Sequence, residues 1–267
     1  GGGPVHINIP ITEPLYDYTV SHLLVERQIC SFSKSIAAEG RDFVIRRLLQ
    51  ARRPMIVIGQ DTPSTYRNLE KSLQIIASYA VLLNERLSIP DYHILHFDEV
   101  LAGTVDQRYQ PDFLVFMGYT LVSKRLKVFL RKNSGLETWR ISPDDTVYDT
   151  FKAMKGIVRT DPADFIVHLA EEIEREKRPV LSFHDTWKRA LDTAELHAAD
   201  YEPAYSEMAA VKYFEEQLDD IDYDYQTQYG NSNAIRLANI FAGHQVWCNR
   251  GVNGIDGSLS TAAGMSV

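Results

Sequence analysis

The sequence is poor in cysteine and has no long apolar run, and both shortages narrow what the protein can be. Its 267 residues include only Cys30 and Cys248, a widely separated pair without the spacing of a metal site or a disulfide framework. No apolar run approaches the roughly 18–20 residues that cross a bilayer. The first residues lack the basic segment and apolar core of a secretory signal. We therefore expect a reduced, cytoplasmic protein without a membrane partner.

Basic charge is also scarce. The chain has 28 lysines and arginines against 36 aspartates and glutamates, a formal net charge of −8. Nucleic-acid-binding domains carry a basic patch or stripe, so this balance argues against such a partner. It does not exclude a small anion, which responds to local charge. Hydrophobic residues make up 45% and charged residues 24% of the chain, as in an ordinary globular protein of one or two domains.

Between residues 38 and 180 short apolar runs alternate with helical periodicity. "MIVIGQ" at 55–60 is a continuous apolar run ending in glycine, which is typical of a buried parallel strand. Asp161 and Pro162 are a helix N-cap and a first helical residue. Further strands are predicted at 80–85, 111–118, 136–142 and the start of 156–174, and helices at 39–53, 64–79, 123–133 and the rest of 156–174. This alternation predicts an α/β fold with a doubly wound parallel sheet.

The segments on either side of this pattern look like parts of neighbouring domains. Residues 4–10 read as a short isolated strand, followed by an extended linker over 11–20. Helices are predicted over 182–201 and 206–218. A second, shorter α/β pattern then follows, with a strand ending at Gly230, a helix over 234–242, a strand over 245–249 and a helix starting near Ser258. We expect the chain to be part of a longer protein.

Two stretches could hold an anion. In the first, Gly118 ends a strand, Ser123 caps the next helix, and Lys124 and Arg125 occupy its first turn. Cations are unfavourable at that end of a helix, so the pair indicates an anion to bind where the strand ends. The alternative is a solvated basic face of the helix that continues through Lys127, Arg131 and Lys132.

The second stretch is "CNRGVNGIDGSLSTAAG", residues 248–264. Gly251, Gly254 and Gly257 allow a close approach of backbone to a ligand or a positive φ. Arg250 stands at the end of a strand, where its guanidinium could clamp a carboxylate. The pattern is neither G-x-G-x-x-G nor a P-loop. The alternative is a structural strand–turn–helix with a surface arginine.

Two further patterns are weaker. His93 and His96 in "HILH" lack the helical spacing of a zinc site. "FHDT" at 183–186 is better interpreted as a helix cap that involves Asp185.

Three segments resemble one enzyme family. "GPVHINIPITEPLY" (3–16), "GNSNAIR" (230–236) and "NRGVNGIDGSLSTAAG" (249–264) are similar to the MenD family of 2-succinyl-5-enolpyruvyl-6-hydroxy-3-cyclohexene-1-carboxylate synthases, which depend on thiamine diphosphate. The resemblance runs through the chain in order and is strongest at its two ends. In the middle it depends on the α/β pattern and on "SKRL" at 123–126.

The resemblance implies a division of the chain into three parts. Residues 1–24 correspond to the end of a pyrimidine-binding domain and a linker. Residues 25–203 correspond to a central α/β domain. Residues 204–267 correspond to the first part of a diphosphate-binding domain.

The resemblance also implies an activity. A transferase of menaquinone biosynthesis decarboxylates 2-oxoglutarate on thiamine diphosphate, with Mg²⁺ or Mn²⁺, and adds the succinyl carbanion to isochorismate. It implies that the whole enzyme is a homodimer or homotetramer. The residues matched to substrate binding are Lys124, Arg125, Ser232, Arg236 and Arg250, and those matched to the cofactor are Gly251, Gly254 and Ile255. No catalytic or metal-binding residue is matched in this chain.

The sequence also departs from the family. Asn233 and Ala234 stand where relatives usually have an apolar residue and proline. The family's activating glutamate and its metal-binding segment have no counterpart in these residues, so we expect the 267-residue chain by itself to be inactive and to bind neither cofactor nor metal. Two alternatives remain open: a stand-alone anion-binding regulatory α/β module, and part of another thiamine-diphosphate decarboxylase.

Overall fold

The computed structural model describes residues 28–32, 36–88, 96–103, 105–144, 146–218, 220–222, 224–251 and 254–266. The strand and linker predicted for residues 4–20 lie outside these ranges, as does His93. The strands are β1 (Cys30–Phe32), β2 (Pro54–Ile58), β3 (Val81–Asn84), β4 (Phe113–Met117), β5 (Glu137–Ile141), β6 (Met154–Val158), β7 (Thr227–Tyr229) and β8 (Val246–Cys248). The α-helices are α1 (Ala37–Gln50), α2 (Glu70–Ala77), α3 (Phe97–Ala102), α4 (Lys124–Arg131), α5 (Pro162–Glu176), α6 (Ser182–Asp200), α7 (Glu207–Leu218), α8 (Asn233–Phe241) and α9 (Ser258–Met265).

A six-stranded parallel sheet forms the centre of the fold, with the strand order β1-β6-β5-β4-β2-β3. Strand β2 is buried along its whole length, and successive side chains point to opposite faces. Ile56 and Ile58 pack with α1, α2 and α5, whereas Met55 and Val57 pack with α3, α4 and α6. Helices therefore cover both faces of a parallel sheet, which confirms the predicted α/β class.

The start of α5 follows the sequence pattern. The Asp161 carboxylate accepts a hydrogen bond from the Ala163 amide at 2.8 Å, and Pro162 is the first helical residue. A proline costs no hydrogen bond there because the first amides of a helix have no partner within it. The predicted cap is confirmed.

Two predictions about helices are wrong. The helix expected over 64–79 is divided into a 3₁₀ turn at Pro63–Tyr66 and α2, because Asn68 adopts a left-handed conformation with φ 64° that ends one helical segment before the next begins. The side-chain cap expected from 183–186 does not form. Leu181 is the N-cap of α6, and Asp185 lies within the first turn of that helix.

The crevice where the strand order reverses, between the ends of β2 and β4, is closed by the backbone itself. Gly118 has φ +74°, and a Cβ atom there would lie 2.6 Å from the Gly59 carbonyl oxygen. The Tyr119 amide donates to the Gln60 carbonyl at 2.9 Å, and the Gln60 amide donates to the Thr120 carbonyl at 2.8 Å. The two loops thus leave this edge of the sheet as one hydrogen-bonded layer.

Strands β7 and β8 form a second, two-stranded parallel sheet, with α8 as the connection between them. We call residues 224–266 the second unit. Its apolar residues share a buried cluster with Leu87 and Val122 of the central fold. None of the helices in the described ranges is both long and apolar enough to span a bilayer.

Candidate functional site

The second unit meets the central fold at the carboxyl edge of the six-stranded sheet. The Arg86 amide donates to Asn239 Oδ1 at 3.0 Å, and the Val246 amide donates to the Arg86 carbonyl at 3.1 Å. Gln60 Nε2 also donates to the Cys248 carbonyl at 3.4 Å. The predicted site residues near the ends of β4 and β8 therefore lie at one junction.

The turn that joins β4 to α4 is built around a buried carboxylate, Glu85. This side chain accepts hydrogen bonds from the Val122 amide at 2.9 and 2.8 Å and from the Ser123 amide at 2.7 Å. Glu85 is 1% exposed. The backbone N–H groups that the sequence pattern assigned to an external anion are thus bound by a carboxylate of the protein itself.

The surroundings of Glu85 have opposing effects on its pKa. Burial is the largest effect and raises the pKa to about 7. The hydrogen bonds from Val122 and Ser123 and the positive charge of Arg250 lower the pKa, but by less. The charge of Asp98 adds to the increase. The carboxyl group is therefore poised to gain or lose a proton near neutral pH.

Lys124 and Arg125 begin α4, as predicted, and both are exposed. Ser123 caps the helix by accepting a hydrogen bond from the Leu126 amide at 2.9 Å. Arg125 forms an ion pair with Asp98 at 2.7 Å. Ser123 Oγ donates to the same carboxylate. The cationic pair thus projects from a turn whose polar groups are satisfied within the protein.

Arg250 is half-buried and points into the junction. Its Nη1 donates to Asn231 Oδ1 at 2.7 Å, and its Nη2 is 3.4 Å from the Leu121 carbonyl oxygen. Its Nε is buried without a hydrogen-bond partner among the described residues. A ligand carboxylate would therefore have to bind the remaining N–H groups of the terminal nitrogens.

Asn231 holds the glycine-rich segment in place. Its Nδ2 donates to the carbonyl oxygens of Asn249 at 2.6 Å and Gly254 at 2.5 Å, while its Oδ1 accepts the hydrogen bond from Arg250. Asn231 is 9% exposed. Sequence reasoning missed this residue, although it lies within "GNSNAIR".

The next residue, Ser232, has φ 75° and ψ −123° at the N-cap of α8, and its side chain makes no capping hydrogen bond. This conformation is sparsely populated by residues other than glycine, and such strain is often found at functional sites. Ser232 opens onto a hollow with Glu207 and Val211, whereas Arg236 lines a small cavity with Glu85 and Asp98. The structure does not bring Ser232 and Arg236 to the same cavity.

The three residues matched to a cofactor form an open surface. At Gly251 and Gly254 an added Cβ would meet nothing within 4 Å. Ile255 is 78% exposed. Packing within the described chain therefore gives no reason for glycine at either position, in contrast to Gly118.

A short helix continues this surface. Gly257, with φ +80°, is the N-cap of α9, and Ser258 Oγ is buried without a hydrogen-bond partner among the described residues. Thr261 Oγ1 accepts a hydrogen bond from Asn249 Nδ2 at 2.9 Å, which ties the helix to the end of β8.

Glu85 is the main residue that sequence reasoning missed. It follows Asn84, the last residue of β3, so the pattern showed only that the strand ends there. An acid immediately beyond an all-buried strand was the available signal, but its partners lie 37 and 38 residues further along the chain.

The described residues contain no group of three or more His, Cys, Asp or Glu side chains that could hold a metal ion. The alternative of a stand-alone anion-binding module depended on free N–H groups before Lys124 and Arg125. Since Glu85 accepts hydrogen bonds from Val122 and Ser123, no geometry described above favours that alternative.

The chain was compared with known proteins. No protein-family model matches it. It is 31% identical over 275 residues to the 2-succinyl-5-enolpyruvyl-6-hydroxy-3-cyclohexene-1-carboxylate synthase of Bacteroides thetaiotaomicron, with 99% of this chain and 47% of that protein covered. The synthase of Flavobacterium psychrophilum is 31% identical, with 99% and 49% covered. That of Porphyromonas gingivalis is 32% identical, with 99% and 48% covered.

The chain thus spans about half the length of the curated relatives that it matches. These curated homologues match the chain over almost its whole length, and all of them are 2-succinyl-5-enolpyruvyl-6-hydroxy-3-cyclohexene-1-carboxylate synthases.

Proposed function

We propose that this chain forms part of a thiamine-diphosphate-dependent transferase that decarboxylates 2-oxoglutarate and transfers the succinyl group to isochorismate in menaquinone biosynthesis. The observation that carries the proposal is the similarity to these synthases over 99% of the chain. The glycine-rich segment 249–264 supports it, because an added Cβ at Gly251 or Gly254 would meet nothing within 4 Å among the described residues.

The substrates are polycarboxylates, so the proposal requires cations at the site. Arg250 lies at the junction of the two units, and Lys124 and Arg125 project from the turn that its guanidinium contacts. Arg236 lines a small cavity with Val122 and Ser123 of that turn. We propose that these four cations and Ser232 bind the carboxylates of 2-oxoglutarate and isochorismate.

The residues of the glycine-rich segment fit a cofactor. Gly251 and Gly254 leave space for a ligand against the main chain, and the exposed Ile255 offers an apolar contact. Thiamine diphosphate, when bound, makes the keto carbon of a 2-oxo acid able to lose carbon dioxide and act as a nucleophile. We propose that Gly251, Gly254 and Ile255 hold this cofactor and keep water from its reactive carbon.

The described residues include no group of three or more His, Cys, Asp or Glu side chains that could bind the accompanying Mg²⁺ or Mn²⁺. No metal-dependent step is assigned to them. We further propose that the active protein is a cytoplasmic homo-oligomer whose parts follow the division at 24 and 203.

The test is an Arg250→Lys substitution in the whole protein that contains this chain. Lysine keeps the charge but loses the planar fork. Removal of a charged hydrogen-bond partner in a desolvated site costs about 2–4 kcal/mol. We expect kcat/KM for one of the two substrates to fall at least about 30-fold, with nearly unchanged affinity for thiamine diphosphate.

The matched control is Arg108→Lys, the same substitution at an exposed arginine that pairs with Asp106. It should leave both substrates unaffected. Normal kinetics of the Arg250→Lys variant with both substrates would refute the clamp, and loss of cofactor affinity would show that the segment holds the diphosphate instead. A wild-type protein with no decarboxylation of 2-oxoglutarate would refute the proposed function itself.

A further inference from the structure

We infer that Glu85 is a positioning residue whose carboxylate fixes the Leu121–Ser123 turn and thereby orients Arg250 and the Lys124–Arg125 pair. The inference depends on the proposed function only for what these cations bind. None of the sequence patterns assigns Glu85 a role. It lies beyond the end of β3, outside both of the stretches that the sequence analysis identified as possible anion sites.

The Glu85 carboxylate holds the Leu121–Ser123 turn through two main-chain amides. Both carboxylate oxygens accept a hydrogen bond from the Val122 amide, and one also accepts from the Ser123 amide, at 2.7–2.9 Å. Both donors are main-chain groups, so the contact fixes backbone rather than a side-chain rotamer. Because Ser123 is the N-cap of α4, a shift of this turn would move the first helical residues, Lys124 and Arg125.

The Leu121 carbonyl, in the same turn, is contacted by a side chain from each of the two units. The Leu121 carbonyl accepts a hydrogen bond from Lys127 Nζ at 3.0 Å and lies 3.4 Å from Arg250 Nη2. Arg250 is in turn held by Asn231. The turn therefore presents its amides to Glu85 and its Leu121 carbonyl to Lys127 and Arg250, and the negative charge of Glu85 attracts the Arg250 guanidinium.

A neutral amide would replace the carboxylate poorly in this role. Glu85 Oε1 accepts from both amides, and Oε2 accepts from Val122 at 2.8 Å. In a glutamine whose oxygen takes the place of Oε1, the NH₂ group would face the Val122 N–H. A buried donor without an acceptor is unfavourable, so the turn would shift to find another partner. The charged and titratable groups around Glu85 are Asp98, His96 and Glu99 of the 96–103 segment, Lys127 of α4, Arg236 of α8 and Arg250.

The first experiment measures the access of a reagent to Arg250. The purified chain and its Glu85→Gln variant are treated with phenylglyoxal, and modification of each arginine is followed by mass spectrometry, with the exposed Arg108 as an internal reference. We expect Arg250 to react roughly tenfold faster in the variant. The control is Glu99→Gln, an acid on the same cavity that makes no hydrogen bond to the turn. It should change the rate by less than about twofold. An unchanged Arg250 rate in a folded Glu85→Gln variant would overturn the inference.

The second experiment does not require Glu85→Gln to fold. Nuclear magnetic resonance of the ¹⁵N-labelled wild-type chain should show the Val122 amide, the Ser123 amide and the Arg250 Nε–H titrating with one common midpoint. In an Arg250→Gln variant that midpoint should move upwards by about half a pH unit or more, because a charge that favours the carboxylate is removed. Independent midpoints, or no movement in the variant, would overturn the inference. Neither readout uses turnover, so failure of the proposed function would leave these results unaffected.

Discussion

At the residue scale, Glu85 has a consequence for stability that is separate from its contacts. Its pKa is raised from 4.5 to about 7, chiefly by burial. The folded chain therefore holds this proton more tightly than the unfolded chain does. An acid with a raised folded-state pKa adds stability below pH 4.5, and that stability is lost as the pH rises through 7.

We therefore expect the unfolding free energy of the wild-type chain, relative to Glu85→Gln, to fall by on the order of 3 kcal/mol between about pH 4.5 and 7.5. Urea unfolding of both proteins at several pH values measures this difference. Above pH 8 it should be constant. A difference that does not change with pH would show that Glu85 keeps an ordinary pKa.

Asn231 gives a second prediction at this scale. Its amide group holds Arg250, the Asn249 carbonyl and the Gly254 carbonyl in a buried position. Asn231→Ala should lower the unfolding free energy by about 2–4 kcal/mol, because several polar groups lose their partner at once. The measurement is urea unfolding, with faster hydrogen exchange expected over 249–251 and 254–257.

The control is Asn233→Ala, since this exposed asparagine makes one hydrogen bond, to Glu207 at 3.1 Å. It should cost less than about 0.5 kcal/mol. Equal effects of the two substitutions would contradict the role assigned to Asn231.

How well sequence predicted these residues depends on the distance of their partners. The caps at Ser123 and Asp161 bond amides two or three residues away, so a local pattern was sufficient to predict them. The partners of Glu85 and Asn231 lie in other elements. Their roles follow only from how β3, β4 and β8 end at one edge of the sheet.

At the scale of elements, the glycines divide into two kinds. Gly118 has a positive φ and lies against the Gly59 backbone, whereas Gly254 faces open space. Gly118→Ala should therefore lower the unfolding free energy by at least about 2 kcal/mol. Gly254→Ala should change it by less than about 0.5 kcal/mol. Thermal or urea unfolding of the two variants makes the comparison.

The Gly254→Ala variant also tests the role of the glycine-rich segment. If Gly254 is kept for a cofactor, Gly254→Ala should weaken thiamine diphosphate binding in an active protein while its stability stays normal. A destabilised Gly254→Ala chain would instead show that packing requires this glycine.

Elements were predicted best where a strand or helix carries its own pattern. The apolar run of β2 predicted a buried strand, and the amphipathic pattern of α5 predicted a helix. Strand β1 was missed because three residues, "CSF", show no periodicity, and its pairing with β6 is non-local. The break at Asn68 was missed because Asn tolerates both helical and left-handed backbone, so the sequence around it fits a continuous helix.

At the scale of the whole molecule, the two units depend on one shared apolar cluster. Leu87 and Val122 of the central fold pack there with Ile235, Ala238 and Val246 of the second unit. The second unit has only two paired strands, each bonded on one side among the described residues, whereas β2 is bonded on both sides. The second unit should therefore be the less stable of the two, and its order should depend on this cluster.

Leu87→Ala tests that dependence. Leu87 is 2% exposed, and truncation of a buried leucine costs about 2–4 kcal/mol through lost burial and a cavity. Because the cavity lies at the junction, we expect hydrogen exchange to accelerate more in β7, α8 and β8 than in β2. The matched control is Leu73→Ala, a leucine that is 1% exposed within the cluster of α1, α2 and α5. It should destabilise the chain by a similar amount, but without selective loss of protection in the second unit. If both variants accelerate exchange in the two units equally, the units unfold as one cooperative body and the junction has no separate stability.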